Sequence, residues 1–198
     1  MPFSSPSAIF FSAGYDSPVG HLELAMSEQG LTGLAFGGHW SAPWAGKTAP
    51  AEEVNVRWVE QPERFTEVRR QLDEYFAGRR RQFDLPLDLR GPEFHRRCWQ
   101  ALLRIPYGET WSYARLAAEV GSPRSSRAVG QANHHNPVAI IVPCHRVIAA
   151  DGTLAGFGGG LAVKEFLLKL EGARFRPSIP EQGELFGERA VRSRLWRR

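Results

Sequence analysis

The chain is poor in cysteine and contains no long apolar run. Its 198 residues include two cysteines, Cys98 and Cys144, too few for a disulfide framework, and no cysteines and histidines cluster at the spacing of a zinc site. No stretch approaches the roughly 18 consecutive apolar residues that a membrane span needs. The first twelve residues lack the basic and apolar segments of a signal peptide. These absences predict a cytoplasmic protein that needs no metal or other cofactor and does not enter a membrane.

The charge of the chain suggests a polyanionic partner. Hydrophobic residues make up 42% of the sequence, enough for a real core, and the length suits one large domain or two small ones. The formal net charge is +4, and basic proteins are attracted to polyanions, of which nucleic acid is the commonest. Many basic proteins nevertheless bind no nucleic acid, so the charge alone does not decide the question.

Residues 1–88 are predicted to form a small domain with an antiparallel sheet and a helix. Short segments with strand-like composition, bounded by turn residues, indicate strands; these segments are 8–14, Gly20–Met26, Leu31–Phe36 and 54–59. The stretch 37–51 is rich in Gly, Pro, Ala and Trp and is expected to be a loop. Pro62 begins a helix that runs to Ala77.

Residues 92–175 are predicted to form a second, mostly helical domain, which makes the fold class α+β. Ser112 is a good N-cap for a helix, and the turn at Gly121 separates that helix from another over 123–133. Two short helices joined by a glycine turn indicate a helix-turn-helix. A strongly apolar helix over Leu161–Leu170 completes the domain.

Cys144 lies beside His145, directly after the apolar run 138–142. A thiol is a strong nucleophile only as a thiolate, and a nearby imidazole or positive charge lowers its pKa. Free cysteines are also often small buried hydrophobic residues, as Cys98 is expected to be. His145 needs an orienting acceptor to act as a base. Glu171 is the candidate, because negative charge is disfavoured at the C-terminal end of a helix; simple solvent exposure is the alternative.

The second helix of the helix-turn-helix is built from small residues around Arg127. Small side chains let a helix backbone approach a surface closely, although tight packing against another helix would use them equally well. These residues are Ser125, Ser126, Ala128, Gly130 and Ala132. A helix that reads base edges in the major groove would carry longer polar side chains. Contact with DNA, if made, is therefore expected through shape or the minor groove.

Together these motifs resemble the O6-alkylguanine-DNA alkyltransferase family. The resemblance runs in order over about residues 92–175, and Ser17-Pro18-Val19-Gly20 and Glu28-Gln29-Gly30-Leu31 are similar to the family's N-terminal domain. Pro-Cys-His-Arg with a preceding Asn-Pro and a following Gly-Gly is a highly specific combination. The matching segments are Arg127-Ala128-Val129-Gly130, Asn136-Pro137, Pro143-Cys144-His145-Arg146-Val147-Ile148, Gly159-Gly160, Lys164-Glu165-Phe166-Leu167-Leu168 and Glu171-Gly172.

The resemblance implies direct-reversal DNA repair. Cys144 would accept the O6-alkyl group of a flipped guanine, one event per molecule, because the thioether formed is stable. His145 would take the thiol proton through a water, and Glu171 would orient His145. Asn136 would brace the helix-turn-helix against the active-site loop. The protein would act as a monomer on double-stranded DNA that contains O6-alkylguanine.

The resemblance also implies a set of residues that contact DNA or the flipped base. Arg127 would occupy the space left by the extruded base, and Tyr113 would help to drive flipping. Flipping costs a few kcal/mol of unstacking, least for a poorly paired lesion. The remaining members of the implied set are Ala128, Gly130, Arg146, Val147, Phe157, Gly158 and Gly159.

Four positions differ from other members of the family. Phe157 and Gly158 stand where some members have tyrosine and serine, and Gln131 replaces a smaller residue on the helix that faces DNA. Ala139 stands where some members have proline, which predicts a roomier pocket. Zinc-binding relatives use N-terminal cysteines, and this chain has none before Cys98, so we expect no zinc.

Residues 176–198 are interpreted as a basic, flexible tail with one further motif. Gln182, Leu185 and Phe186 are similar to the short motif by which bacterial DNA enzymes dock on the sliding clamp. The glutamine would hydrogen-bond at a groove and the apolar pair would fill a pocket.

Two other functions are compatible with parts of the sequence. An alkyl-lesion sensor would bind and flip O6-alkylguanine without transfer, but such proteins lack the reactive cysteine, which is present here as Cys144. An unrelated cysteine hydrolase would need an oxyanion hole and turnover, and no residue pattern specifies either.

Overall fold

The computed structural model describes residues 8–37 and 56–177. The N-terminal part is a four-stranded sheet with the order β3-β2-β1-β4. Its strands are β1 (Ala8–Ser17), β2 (Gly20–Met26), β3 (Leu31–Phe36) and β4 (Val56–Glu60). The pairs β1–β2 and β2–β3 are antiparallel, as expected. The expectation of an antiparallel sheet was wrong for one pair of strands, because β4 pairs parallel to β1. The composition of a strand does not specify the direction of its neighbour.

One helix packs its apolar face on this sheet. A short 3₁₀ turn, Pro62–Phe65, leads into α1 (Thr66–Phe76). The side chains of Phe65, Val68, Leu72 and Tyr75 are buried to at least 99%, and they lie at the spacing of one helix face. The helix ends before Gly78, which has a φ of +71° that glycine adopts without strain.

The C-terminal part is helical, and the α+β class is confirmed. Its helices are α2 (Glu93–Leu102), α3 (Tyr113–Glu119), α4 (Ser126–His134) and α5 (Leu161–Leu170). The hydroxyl of Ser112 accepts a hydrogen bond from the Arg115 amide at 3.1 Å, as an N-cap does. The helices α3 and α4 form the helix-turn-helix around Gly121. The second of them begins at Ser126, three residues later than 123–133 predicts.

A continuous core joins the two parts of the chain. Leu34 of β3 exchanges backbone hydrogen bonds with Pro137 and Ala139, at 2.9 and 3.1 Å. The apolar run 138–142 is buried, as expected, and it forms turns. Ile140 within it has a φ of +70°, a strained value for a β-branched residue. The chain just before Cys144 is therefore fixed by contacts from both parts. Within the described residues, no helix is long and apolar enough to cross a bilayer.

Candidate active site

Cys144 begins a single 3₁₀ turn, Cys144–Arg146, at the end of the buried run. Its Sγ accepts a hydrogen bond from Asn136 Nδ2 at 3.0 Å. The same amide donates to the Val142 carbonyl at 2.7 Å, while its oxygen accepts from the Val138 amide at 3.1 Å. One side chain thus fastens both ends of the strained loop and directs a donor at the sulfur. Donation to sulfur stabilises the thiolate over the thiol.

The Cys144 thiol is at rest in its protonated form. Burial raises its pKa, and the residue is 8% exposed; the Asn136 hydrogen bond, the positive charge of Lys164 and nearby backbone amides act against this increase without cancelling it. A buried thiol of this kind needs a base to become a nucleophile.

His145 is the base that the geometry provides. Its Nε2 lies 2.9 Å from Oε1 of Glu171, and both side chains are completely buried. Burial lowers the pKa of His145 although the Glu171 carboxylate opposes this, so the ring is neutral at pH 7. We assign the hydrogen to Nε2 because a carboxylate can only accept. Nδ1 then carries a lone pair, and it has no protein partner among the residues that the structure describes.

Glu171 receives more donors than a surface carboxylate would. Besides His145, it binds Arg146 through Nε at 2.8 Å and Nη2 at 3.0 Å, and the Tyr75 hydroxyl at 2.8 Å. Burial alone would raise the pKa of Glu171, but hydrogen bonds and charge from His145 and Arg146 outweigh it and bring the pKa to about 2. The carboxylate is therefore charged throughout the physiological range.

Arg146, which the sequence predicted to contact DNA or the base, is buried against Glu171. The residue is 6% exposed, and its guanidinium binds Glu171 and donates through Nη1 to the Ile105 carbonyl at 2.6 Å. An arginine so placed neutralises a buried carboxylate. The DNA or base contact of Arg146 stays a prediction, because the motif shows which residues are adjacent in sequence but not which way alternate side chains point.

Lys164 is a member of the site that the sequence reasoning quoted only within a motif. Its side chain is fully buried, and Nζ donates to the carbonyls of Val147 and Ala155 at 2.6 and 2.9 Å. Burial lowers its pKa to about 8, and the adjacent Cys144 acts in the opposite direction. The sequence did contain a signal for this burial. Lys164 precedes the apolar residues Leu167 and Leu168 by three and four positions, a spacing that places all three side chains on the same face of α5.

Two cavities meet at Cys144. The larger one, of about 590 Å³, lies between β3 and the helices α2 and α4 and has a mostly apolar lining; the smaller one, of about 480 Å³, opens beside the helix-turn-helix. Both are lined by Asn133, His134, Cys144, Phe157 and Gly158. The sulfur can therefore be reached from two directions, although the residue is mostly buried.

The structure brings some of the predicted base-binding residues to these cavities and places others elsewhere. Tyr113 and Gly130 line the smaller cavity, and Phe157 and Gly158 line both. Gly159 packs on the Phe36 ring, where a Cβ atom would come within 2.9 Å. Val147 is fully buried, and its carbonyl accepts a hydrogen bond from Lys164 Nζ at 2.6 Å. Arg127 and Ala128 are exposed on α4, outside both cavities.

Asn133 is a cavity residue that the sequence analysis did not single out. It lines both cavities, and neither polar atom of its side chain has a partner within the described part of the chain, although both are buried. A buried amide without partners is costly, which is common where a ligand supplies the hydrogen bonds. Asn133 is one of several polar residues of α4, and the sequence does not show which of them is buried without a partner.

Comparison with known proteins identifies the family. The model of the 6-O-methylguanine DNA methyltransferase DNA-binding domain matches residues 93–173, and that of the ribonuclease-like domain of the same methyltransferase matches residues 11–89. The chain belongs to the 6-O-methylguanine DNA methyltransferase family. The family resemblance seen in the sequence is thereby confirmed.

Two relatives of this methyltransferase family are similar along most of their length. A methylated-DNA–protein-cysteine methyltransferase of Methanosarcina acetivorans is 48% identical over 163 residues, which cover 82% of this chain and 99% of the relative. The protein of the same name from Mycobacterium tuberculosis H37Rv is 48% identical over 159 residues, with 80% and 90% covered. The crystal structure of Mycobacterium tuberculosis OGT in complex with DNA matches with a TM-score of 0.69 at 46% identity, covering 83% of this chain and 92% of that one.

Proposed function

We propose that the protein repairs DNA by moving the O6-alkyl group of a flipped guanine onto Sγ of Cys144. The observation that carries this proposal is the buried, hydrogen-bonded pair of His145 and Glu171 directly after Cys144, a cysteine that lines two cavities. The relatives named above are methylated-DNA–protein-cysteine methyltransferases, and one similar structure contains DNA. DNA is therefore the macromolecular partner.

The side chains around Cys144 can carry out a proton transfer followed by an alkyl transfer. The Cys144 proton passes to Nδ1 of His145, through a bridging water, and the Glu171 carboxylate stabilises the imidazolium that forms. The thiolate, held by Asn136 Nδ2 and the charge of Lys164, attacks the alkyl carbon. The S–C bond forms as the C–O6 bond breaks, and the electron pair left on guanine takes up a proton. Unmodified guanine and a neutral thioether are the products.

The reaction ends with the protein alkylated. Cleaving the thioether would require a second nucleophile and activation of a poor leaving group, and the side chains around Cys144 provide neither. Each molecule therefore reacts once. The same consideration disfavours a cysteine hydrolase, which must regenerate its thiol. A lesion sensor is disfavoured because a sensor needs neither the cysteine nor the buried base beside it.

The exposed face of α4 is proposed to contact the DNA. Arg127 and Ala128 lie on that face together with Gln131 and His134, and the small Ala128 lets the backbone come close to a surface there. Arg127 can enter the stack where the target guanine has left it, as wedge residues do. Tyr113 and Gly130 then border the smaller cavity, which would receive the extruded base.

A mass measurement tests the proposed function. The protein is mixed with a duplex that contains one O6-methylguanine, and its intact mass is recorded before and after. We expect the gain of one methylene mass unit in a one-to-one ratio to the lesion, and peptide mapping places it on the fragment that contains Cys144. Binding with no change in mass would support a sensor instead, and repeated turnover would indicate a catalyst that regenerates itself.

The larger cavity predicts that alkyl groups much bigger than methyl are accepted. It borders Cys144, and Ala139 is one of its wall residues. We expect benzyl transfer from O6-benzylguanine in DNA, and we expect Ala139→Leu to slow it about ten-fold, since a bulkier wall costs roughly 1–3 kcal/mol of overpacking. Methyl transfer by the same variant is the internal control and should change less than three-fold. Equal slowing of both reactions would contradict this use of the cavity.

The tail carries a second proposed partner. Gln182, Leu185 and Phe186 lie outside the described residues, so the docking of this segment on the sliding clamp stays a proposal supported by the motif alone. Such docking would hold the protein at the chromosome, as the expected cytoplasmic, nucleoid-associated location requires. We propose that the protein acts there as a monomer.

A further inference from the structure

The Glu171 carboxylate is contacted by a residue from the N-terminal part of the chain. Tyr75 lies near the end of α1, 96 positions before Glu171, and its hydroxyl donates to Oε1 at 2.8 Å. His145 Nε2 binds the same oxygen at 2.9 Å. Arg146 Nη2 also donates to Oε1, at 3.0 Å. The hydroxyl and the imidazole therefore share one acceptor atom with the guanidinium, and each donor weakens the acceptor for the others.

The Tyr75 ring is held rigidly in this position. The residue is fully buried, and its ring packs against Phe83 and Tyr107, with centroids 5.3 and 6.3 Å away. Burial, followed by the charge of Glu171, raises the pKa of Tyr75 well above its ordinary value. The hydroxyl is thus a permanent donor that can rotate but cannot leave.

We propose that Tyr75 is a positioning residue for alkyl transfer, through which the N-terminal part of the chain sets the basicity of His145. This inference rests on the proposed function. A donor on Oε1 withdraws part of the negative charge that would otherwise stabilise the His145 imidazolium. Tyr75 therefore keeps His145 a weaker base, neutral over a wider range of pH, while it fixes the carboxylate that orients the ring.

The other charged or titratable groups around the pair of His145 and Glu171 come from three elements. Glu171 is faced by Arg146 from the 3₁₀ turn and by Tyr107, while His145 is also influenced by Lys164 of α5. Arg146 and Tyr107 also act electrostatically on Tyr75, but the hydrogen bond of the Tyr75 hydroxyl goes to Glu171. A change confined to that hydroxyl consequently acts on His145 through Glu171.

The test is the pH profile of methyl transfer for the Tyr75→Phe variant of the full chain. Without the hydroxyl, the Glu171 charge acts more fully on the imidazolium. We expect the midpoint of the acid limb to move up by about half to one pH unit, the equivalent of one hydrogen bond. Below both midpoints the rate falls about three- to ten-fold, and at pH 8 it stays within about two-fold of the unmodified protein.

Tyr107→Phe is the matched control. The Tyr107 hydroxyl donates to the Leu170 carbonyl at 3.0 Å, beside Glu171 but not on its carboxylate. This variant loses a comparable hydroxyl at the same packing site, so its midpoint should not move. An equal shift in both variants, or an unshifted profile for Tyr75→Phe, overturns the inference.

A substitution that preserves the fold gives the opposite shift. Placing 3-fluorotyrosine at position 75 keeps the ring and the hydroxyl but makes the hydroxyl a stronger donor, so the midpoint should move to lower pH. A midpoint that stays fixed contradicts the inference even if Tyr75→Phe is poorly folded. Failure of the unmodified protein to gain mass at any pH overturns the proposed function itself, which separates the two failures.

Discussion

Cys144→Ala is expected to abolish alkyl transfer and leave recognition of damaged DNA intact. Cys144 is the cysteine that lines both cavities among the described residues, and the buried pair of His145 and Glu171 follows it directly in the chain. Removing a nucleophile that acts as a unit with its base costs about 10⁴-fold or more in rate. No gain in mass should occur over a thousand half-times of the unmodified protein.

Binding should survive because the truncation leaves the proposed DNA-contacting surface of α4 unchanged. Fluorescence anisotropy with a duplex that contains O6-methylguanine should give an affinity within about three-fold of the unmodified protein. The variant would then be a lesion sensor made from a transferase, the function that the presence of Cys144 argues against for the natural chain. A complete loss of binding would show instead that the thiol itself contributes to recognition.

Cys98→Ala is the matched control for this truncation. Cys98 is fully buried on α2, and burial raises its pKa, so it is an inert thiol in the core. Its loss should lower stability by about 1 kcal/mol and leave the transferred mass and the rate unchanged. If alkyl transfer persisted in Cys144→Ala and were lost in Cys98→Ala, the acceptor would be Cys98 and the proposal would be wrong.

The sequence predicted those parts of the site that depend on local order. Apolar residues just before Cys144 predicted its buried surroundings, and the unusual negative charge at the end of α5 indicated Glu171 as the partner of His145. The N-cap at Ser112 was predictable for the same reason, because a cap is a contact between near neighbours. In each case the feature depends on residues close together in the sequence, or on a residue type that is unusual at its position, such as a carboxylate at the C-terminal end of a helix.

Contacts between distant parts of the chain were not predictable in this way. The helix predicted from Pro62 to Ala77 contains Tyr75, but the sequence does not show that its hydroxyl reaches a carboxylate in the C-terminal part of the chain. The inward direction of Arg146 depends on the 3₁₀ turn, which no periodicity indicates. The parallel pairing of β4 likewise depends on tertiary arrangement. These features require knowledge of how the two parts of the chain pack together.

Glu171→Gln is expected to lower both the transfer rate and the stability of the fold by large amounts. The amide has the shape of the carboxylate but no charge, so it cannot stabilise the His145 imidazolium, and we expect the rate to fall about 100-fold, the lower range for loss of general-base assistance. It also leaves Arg146 buried without its counter-ion. Breaking a buried ion pair from one side costs about 3–5 kcal/mol.

The stability loss should depend on pH in a direction fixed by Glu171. Its pKa is lowered to about 2 in the folded protein from the ordinary 4.5, so its contribution is present above about pH 4.5 and is lost as the pH falls towards 2. The unmodified protein therefore loses about 3 kcal/mol over that interval from this group. The Glu171→Gln variant does not lose this contribution at low pH. The difference in the free energy of unfolding between the two proteins, measured in urea, should therefore be larger at pH 7 than at pH 3.

Glu165→Gln is the control that shows whether the effects of Glu171→Gln come from the buried carboxylate or from the loss of any negative charge near α5. Glu165 pairs with Lys169 at 2.8 Å on the solvent side of α5, and exposed pairs contribute about 0.2–1 kcal/mol. Its amide variant should match the unmodified protein in rate and differ by less than about 1 kcal/mol at either pH. If Glu171→Gln behaves like Glu165→Gln, then the carboxylate neither orients the base nor compensates Arg146.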